Sequence, residues 1–299
     1  MERGFAGTMD TGPPPRGSRR SADDADPLAG PLELPMAAPG LRGTEPTLSP
    51  LPRRPPPTPT PVERGVVLFD LDGTILDDLP SISEVAADVL FKEFGTPVDE
   101  GRIHYLATTG MPFEAQLSQL YPEVPPTMRV AAARTFHQRK VTEAYAKAKP
   151  FPEMPKVLKR LSVDRWTLAI TTGAETEMAD LILEREGLRY WFEDVLGSAE
   201  GTKREHIAEY RRRYPGAKIF LVGDSRFDME AAASVVGVTS IGRASSFSGW
   251  ALTPKDLIEW GAAWADYNLT ELPEALARLE RAGGRARPAA SGRARRPKK

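Results

Sequence analysis

Two aspartates two residues apart, in Asp70-Leu71-Asp72, followed by Gly73-Thr74, carry the strongest chemical signal in the chain. Buried side by side, such carboxylates repel and raise each other's pKa. A divalent cation removes that penalty. Asp70 then stays ionised as a nucleophile, while Asp72 holds or releases a proton. The competing reading is a turn with two solvated acids, because Asp-Gly is common in turns. A second acid pair, Asp224 and Asp228, lies in Gly223-Asp224-Ser225-Arg226-Phe227-Asp228. It supplies further oxygen ligands, directly or through water, or else it caps a helix N-terminus. Thr171-Thr172-Gly173 offers a hydroxyl and exposed backbone amides to a phosphoryl oxygen, or a helix cap. Lys203 falls at the start of a helical stretch, where the helix dipole disfavours a cation. Contact with a phosphate or with the acids would offset that cost.

These residues need elements to hold them. Val66-Val67-Leu68-Phe69, Trp166 to Thr171 and Lys218 to Val222 are short apolar runs, each ending at one of the polar groups above. Such runs read as buried parallel strands. Val195 to Gly197 and Val238 to Ile241 are weaker strands, and Thr176–Glu186 and Lys203–Arg213 are helical stretches between them. Alternating strands and helices predict an α/β fold, a Rossmann-like doubly wound parallel sheet whose ligands bind beyond the carboxyl ends of the strands. Between Asp77 and Pro150 the alternation stops. Ile82, Val85, Ala86, Val89, Leu90 and Phe94 follow helical spacing, and Pro112–Leu120 and Thr127–Lys149 read as further helices. We therefore expect a small all-helical cap at 77–150, inserted after the first strand into a core formed by 62–76 and 151–280.

Composition narrows the chemistry. There is no cysteine, which removes thiol nucleophiles and thiolate metal sites. The three histidines, His104, His137 and His206, are far apart in sequence, so a histidine-rich zinc site is not expected. Oxygen ligands point to Mg²⁺. A formal net charge of −1 gives no overall footprint for nucleic acid. No apolar run is long enough to span a membrane, and the expected location is the cytoplasm. Residues 1–61 hold 15 of the 29 prolines, which favours a disordered tail. Residues 281–299 carry eight Lys/Arg and no acid, and read as a basic disordered tail.

The stretch Asp70 to Asp78, DLDGTILDD, resembles the first signature of the haloacid dehalogenase-like superfamily. The resemblance extends from about Val66 to Arg243. It implies that Asp70 becomes an aspartyl phosphate and that Asp72 is the general acid and base. Thr172 matches the hydroxyl residue of the second motif, with Thr171 as its neighbouring competitor and Gly173 beside it. Lys203 matches the third motif's lysine, and Asp224 and Asp228 match the fourth motif's acids. Mg²⁺ is then held by Asp70, by the backbone carbonyl of Asp72 and by a fourth-motif acid. A second aspartate in the first motif separates phosphoryl-transfer members from dehalogenases.

The helical insertion is similar to the cap of the phosphoglycolate phosphatase and β-phosphoglucomutase subgroup. In that comparison Thr109, Gly110 and Met111 fall in the specificity loop. The activity implied is hydrolysis of a small phosphorylated metabolite by a monomer or homodimer. The alternatives are a phosphomutase of the same fold and a binding protein that has kept the fold without catalysis. Arg102, Arg134, His137, Arg139 and His206 would matter only if their helix faces turned inward. Trp250, Trp260 and Trp264 are expected to pack a C-terminal helix.

Overall fold

The computed structural model describes residues 63–283. The tail expected at 1–61, and all but the first three residues of the tail expected at 281–299, lie outside the described residues. Six strands form one parallel sheet in the order β3-β2-β1-β4-β5-β8. They are β1 (Gly65–Phe69), β2 (Trp166–Thr171), β3 (Val195–Leu196), β4 (Lys218–Gly223), β5 (Val238–Arg243) and β8 (Trp264–Asp266). This is the doubly wound strand order, with β1 at the centre.

The apolar run of β1 is continuous because both faces of the sheet are covered. Successive side chains of a strand point to opposite sides. Val67 and Phe69 join a core with Met154, Leu158 and Leu161 of α5 (Met154–Val163) and with Leu272 and Leu276 of α10 (Leu272–Gly283). Val66 and Leu68 turn to the other face, against Ile207 and Tyr210 of α7 (Lys203–Arg213) and Ala232 of α8 (Arg226–Ala233). α6 (Thr176–Arg185) returns to the first face through Ala179, Ile182 and Leu183.

Between β1 and α5 the chain is helical: α1 (Leu79–Phe94), α2 (Val98–Ala107), α3 (Phe113–Leu120) and α4 (Pro126–Arg139). α4 runs into a π-helical turn at Lys140–Tyr145. The single long helix expected at 127–149 is therefore two pieces with different hydrogen-bond spacing. The chain leaves and rejoins the sheet at one place, where Asp77 N–H donates to Lys149 O at 2.9 Å and Phe151 N–H to Ile75 O at 3.0 Å. A cavity of about 460 Å³ opens beside this crossing, walled by Asp77, Pro80, Phe151, Phe247 and Tyr267.

Sequence reading did not find α2, the hairpin β6 (Ser245–Phe247) and β7 (Trp250–Leu252), α9 (Pro254–Glu259), or β8. Trp250 and Trp264 pack against the core cluster that includes Leu272 and Leu276 of α10, and Trp260 departs from the expected packing. Trp250 lies on β7 and Trp264 on the edge strand β8, and Trp260 is the exposed C-cap of α9. α10 runs to Gly283, three residues into the stretch expected to be tail. At the sheet's other end, Arg64 is paired with Glu280 of α10 at 2.8 Å, and its guanidinium lies 4.9 Å from the centre of the Trp166 ring.

Candidate active site

β1 and β4 are paired in register, Phe69 opposite Val222, and Asp70 N–H extends the ladder to Val222 O at 2.8 Å. Asp70 follows Phe69, the last residue of β1, and Asp224 follows Gly223, the last residue of β4, so the two emerge at the same edge. Asp70, Asp224 and Asp228 are all buried, and one carboxylate oxygen from each lies within 4.8 Å of the others.

The turn after Asp70 requires Gly73. Its φ is +69°, and a Cβ there would stand 2.7 Å from both Asp224 Oδ2 and Leu79 Cδ1. The same turn is braced by Asp78, whose Oδ1 accepts from Gly73 N–H at 3.0 Å.

Lys203 is the first residue of α7, whose N-terminus is closed by a capping box between Thr202 and Glu205. Its ammonium lies 2.8 Å from Asp70 Oδ1 and 2.6 Å from Asp228 Oδ1. Burial alone would lower its pKa, but the charges of Asp228 and Asp70 outweigh burial and raise it. Of the two readings of Asp228, the cap is the one its hydrogen bonds show. As the third residue of α8 it closes a capping box with Ser225, Oδ2 accepting from Ser225 N–H at 3.1 Å and from Ser225 Oγ–H at 2.5 Å. Its other oxygen takes Lys203. Asp224 is different: its Oδ2 is buried and has no hydrogen-bond partner.

Three carboxylates around one ammonium leave two negative charges uncompensated. Burial, then the neighbouring acids, opposes ionisation. It pushes Asp70 up to about 7 despite Lys203, and holds Asp224 well above the usual carboxylate range. A hard divalent cation with oxygen ligands fits this donor set, for it supplies the missing charge and a partner for Asp224 Oδ2. Asp70 and Asp224 would hold it directly. Asp228, with both oxygens engaged, would reach it only through water or by rearranging.

Thr172 N–H donates to Leu196 O at 2.9 Å, which fixes the loop at the end of β2. Its hydroxyl accepts from Ala174 N–H at 3.1 Å and keeps its own proton free to donate. Thr171, the competitor, has its hydroxyl 2.9 Å from His206 Nδ1. His206 is thus a buried structural partner of the strand end, its pKa lowered by burial. Gly173 is exposed, and a Cβ on it would meet nothing within 4 Å.

The helical insert approaches the acids from the other side. Asp72 Oδ2 lies 2.5 Å from Lys140 Nζ and accepts from the Tyr145 hydroxyl at 2.9 Å, while Asp72 Oδ1 is buried without a partner. Asp78 beside it is 1% exposed, and burial followed by the charge of Asp72 raises its pKa well above the usual range. The loop holding Thr109, Gly110 and Met111 joins α2 to α3. Gly110, at φ +89°, lets it touch the start of α8, since a Cβ would stand 2.5 Å from Ser225 Oγ and 3.1 Å from Phe227 Cβ. Gln116 braces this loop, accepting from Thr108 Oγ–H and donating to Met111 O, both at 2.9 Å.

The basic residues considered from sequence do not converge here. Arg134 is exposed, Arg139 pairs with Asp88 and Glu143, and Arg102 lies 3.8 Å from Asp99. Lys140, Tyr145 and Asp78 were not singled out from sequence. Asp78 closes the DLDGTILDD stretch and lay in plain view there. Lys140 carried no signal, because its inward direction depends on the π turn.

Comparison with known proteins follows the same outline. The family described as Haloacid dehalogenase-like hydrolase matches residues 67–242. A phosphoglycolate phosphatase of Vibrio cholerae is 28% identical over 179 residues, covering 56% of this chain and 79% of the relative. One of Synechococcus elongatus is 26% identical over 208 residues, 64% of this chain and 95% of the relative. Among solved structures, a haloacid dehalogenase-like family hydrolase from Streptococcus pneumoniae superposes with a TM-score of 0.56 at 21% identity, covering 72% of this chain and 98% of that one. A hydrolase from Pseudomonas syringae gives 0.59 at 18%, covering 72% and 99%. At these identities the superpositions speak to the fold.

Proposed function

The chain belongs to the haloacid dehalogenase-like hydrolase family, and from that premise we propose that it hydrolyses a small phosphomonoester of the phosphoglycolate or sugar-phosphate kind. The observation that carries this is the meeting of Asp70, Asp224 and Asp228 with Lys203 at the carboxyl edge of the sheet. The names of the relatives support a phosphatase.

Asp70 attacks phosphorus in line, and the bond to the ester oxygen breaks as an aspartyl phosphate forms. Asp72 gives a proton to the departing alcohol. Its carboxylate then takes one from the water that attacks the aspartyl phosphate and frees Asp70. Lys203 and the Thr172 hydroxyl neutralise and orient the phosphoryl oxygens, and the amides around Gly173 add donors. Asp70, Asp224 and the backbone carbonyl of Asp72 would hold Mg²⁺, which would supply the charge neutralisation that an anion attacking another anion requires. The helices of 77–150 act as a cap, with the Thr109–Met111 loop reading the organic part of the substrate and excluding bulk water.

The test is phosphate release from a panel of phosphorylated metabolites, phosphoglycolate and hexose phosphates included, with and without Mg²⁺. Asp70→Asn is expected to lose at least about 10³-fold in turnover. Turnover equal to wild type in that variant overturns the mechanism.

A further inference from the structure

The cavity beside the chain crossing takes no residue from the acid cluster. Its walls include Leu79, Pro80, Phe151, Phe247 and Tyr267, together with the exposed Asp77. Phe151 and Phe247 pack with the core beneath α5 and α10, whereas Lys203 and Asp228 stand on α7 and α8, on the other face of the sheet. The volume of about 460 Å³ falls within the roughly 300–1,000 Å³ of small-molecule sites, which share this lining of apolar and aromatic groups with few polar ones. A ligand there touches the chain both where it leaves the sheet, at Asp77, and where it returns, at Phe151.

Charge decides the class of ligand. Among the lining residues only Asp77 is charged, and its carboxylate pairs with no cation among the described residues. Arg243 lies behind the wall, 2% exposed, its guanidinium carbon 3.3 Å from the centre of the Phe151 ring. Its Nη1 donates to Glu153 Oε1 at 2.7 Å, so that cation is already neutralised. No cation lies over the rings of Phe247 and Tyr267 among the described residues. Aromatic rings beside one unpaired carboxylate attract a cation with an apolar surface, because the ring face is negative and methyl groups shed water cheaply. A primary ammonium would need acceptors for three N–H bonds, and the side chains of Leu79, Pro80 and Phe151 offer none.

We propose that this cavity is a binding site for a small quaternary ammonium, held by Phe247 and Tyr267 against the carboxylate of Asp77.

The probe is choline, titrated with the full chain and followed by proton NMR. Saturating Mg²⁺ keeps the acid cluster from competing for the cation. The N-methyl signal is expected to move upfield, as protons over a ring face do, and to saturate with a Kd of about 1 mM or tighter. Dimethylbutanol, the isostere with carbon in place of nitrogen, should bind at least about tenfold more weakly, and ethanolamine likewise. Asp77→Asn, Phe247→Leu and Tyr267→Leu should each weaken choline at least about fivefold, and Tyr267→Phe less than about twofold. Asp77 and Tyr267 are exposed, so their variants alter the site without opening the core. Choline should also raise the melting temperature of wild type more than that of Asp77→Asn. No upfield shift up to about 50 mM choline overturns the site. Equal binding of the neutral isostere, or wild-type affinity in Asp77→Asn or Tyr267→Leu, overturns it as well.

Discussion

Removing divalent metal should make the protein less stable as pH rises, which is opposite to the behaviour of most carboxylates. Asp70 stands at about 7 in the fold against 3.8 in an open chain, because burial outweighs its contact with Lys203. Below pH 3.8 both states hold the proton, and Asp70 has no effect. Between 3.8 and about 7 the folded state holds a proton that the unfolded state has released, so stability falls as pH rises. Above about 7 the loss is complete. A difference of about three pKa units corresponds to about 4 kcal/mol. Roughly 2 kcal/mol of that loss falls between pH 5.5 and 8, the rest at lower pH. For a folded region of this size the interval amounts to a drop of about 6 °C in melting temperature. The assay is thermal melting in a chelator at the two pH values, beside Asp70→Asn. The variant cancels contributions from groups such as His206, whose lowered pKa has the opposite sign. Mg²⁺ should restore more stability at pH 8 than at 5.5. Parallel pH profiles for wild type and Asp70→Asn would refute the reasoning.

Other consequences can be checked on the same material. Asp224→Asn should weaken Mg²⁺ binding at least about tenfold in calorimetric titration, because the one buried unpartnered acid oxygen of the cluster is replaced. Gly73→Ala should cost about 1–3 kcal/mol in chemical denaturation and depress turnover, since a methyl at φ +69° collides with Asp224 Oδ2 and Leu79. Gly110→Leu should lower kcat/KM about tenfold or more while Mg²⁺ affinity holds, because its side chain wedges the insert loop away from Ser225 and Phe227.

Much of the core was legible because its signals are local. The strands ending at Asp70, Thr171 and Asp224 are unbroken apolar runs, and a parallel sheet buried on both faces asks for nothing more elaborate. The acid cluster followed, since the carboxyl ends of adjacent parallel strands share one edge. Asp228 shows the limit of such reading. Sequence offered helix cap or ligand, and the fold gives one oxygen to the cap and the other to Lys203. Lys140 could not be read at all, because its direction depends on where an α-helix changes its hydrogen-bond spacing. β8 is only three residues long, too short a run to read as a strand without its pairing to β5.

The ion pair between Arg64 and Glu280 joins two points far apart in the chain and near neighbours in space. Both sit where the central strand begins, whereas the reacting acids sit where it finishes, five residues further on. Five extended residues span roughly 16 Å. A fusion partner, purification tag or surface linker attached before Glu63 or after Gly283 therefore joins the molecule on the side away from the acids. The same proximity makes the described region a candidate for circular permutation, with new ends opened elsewhere and the old ones joined by a short bridge.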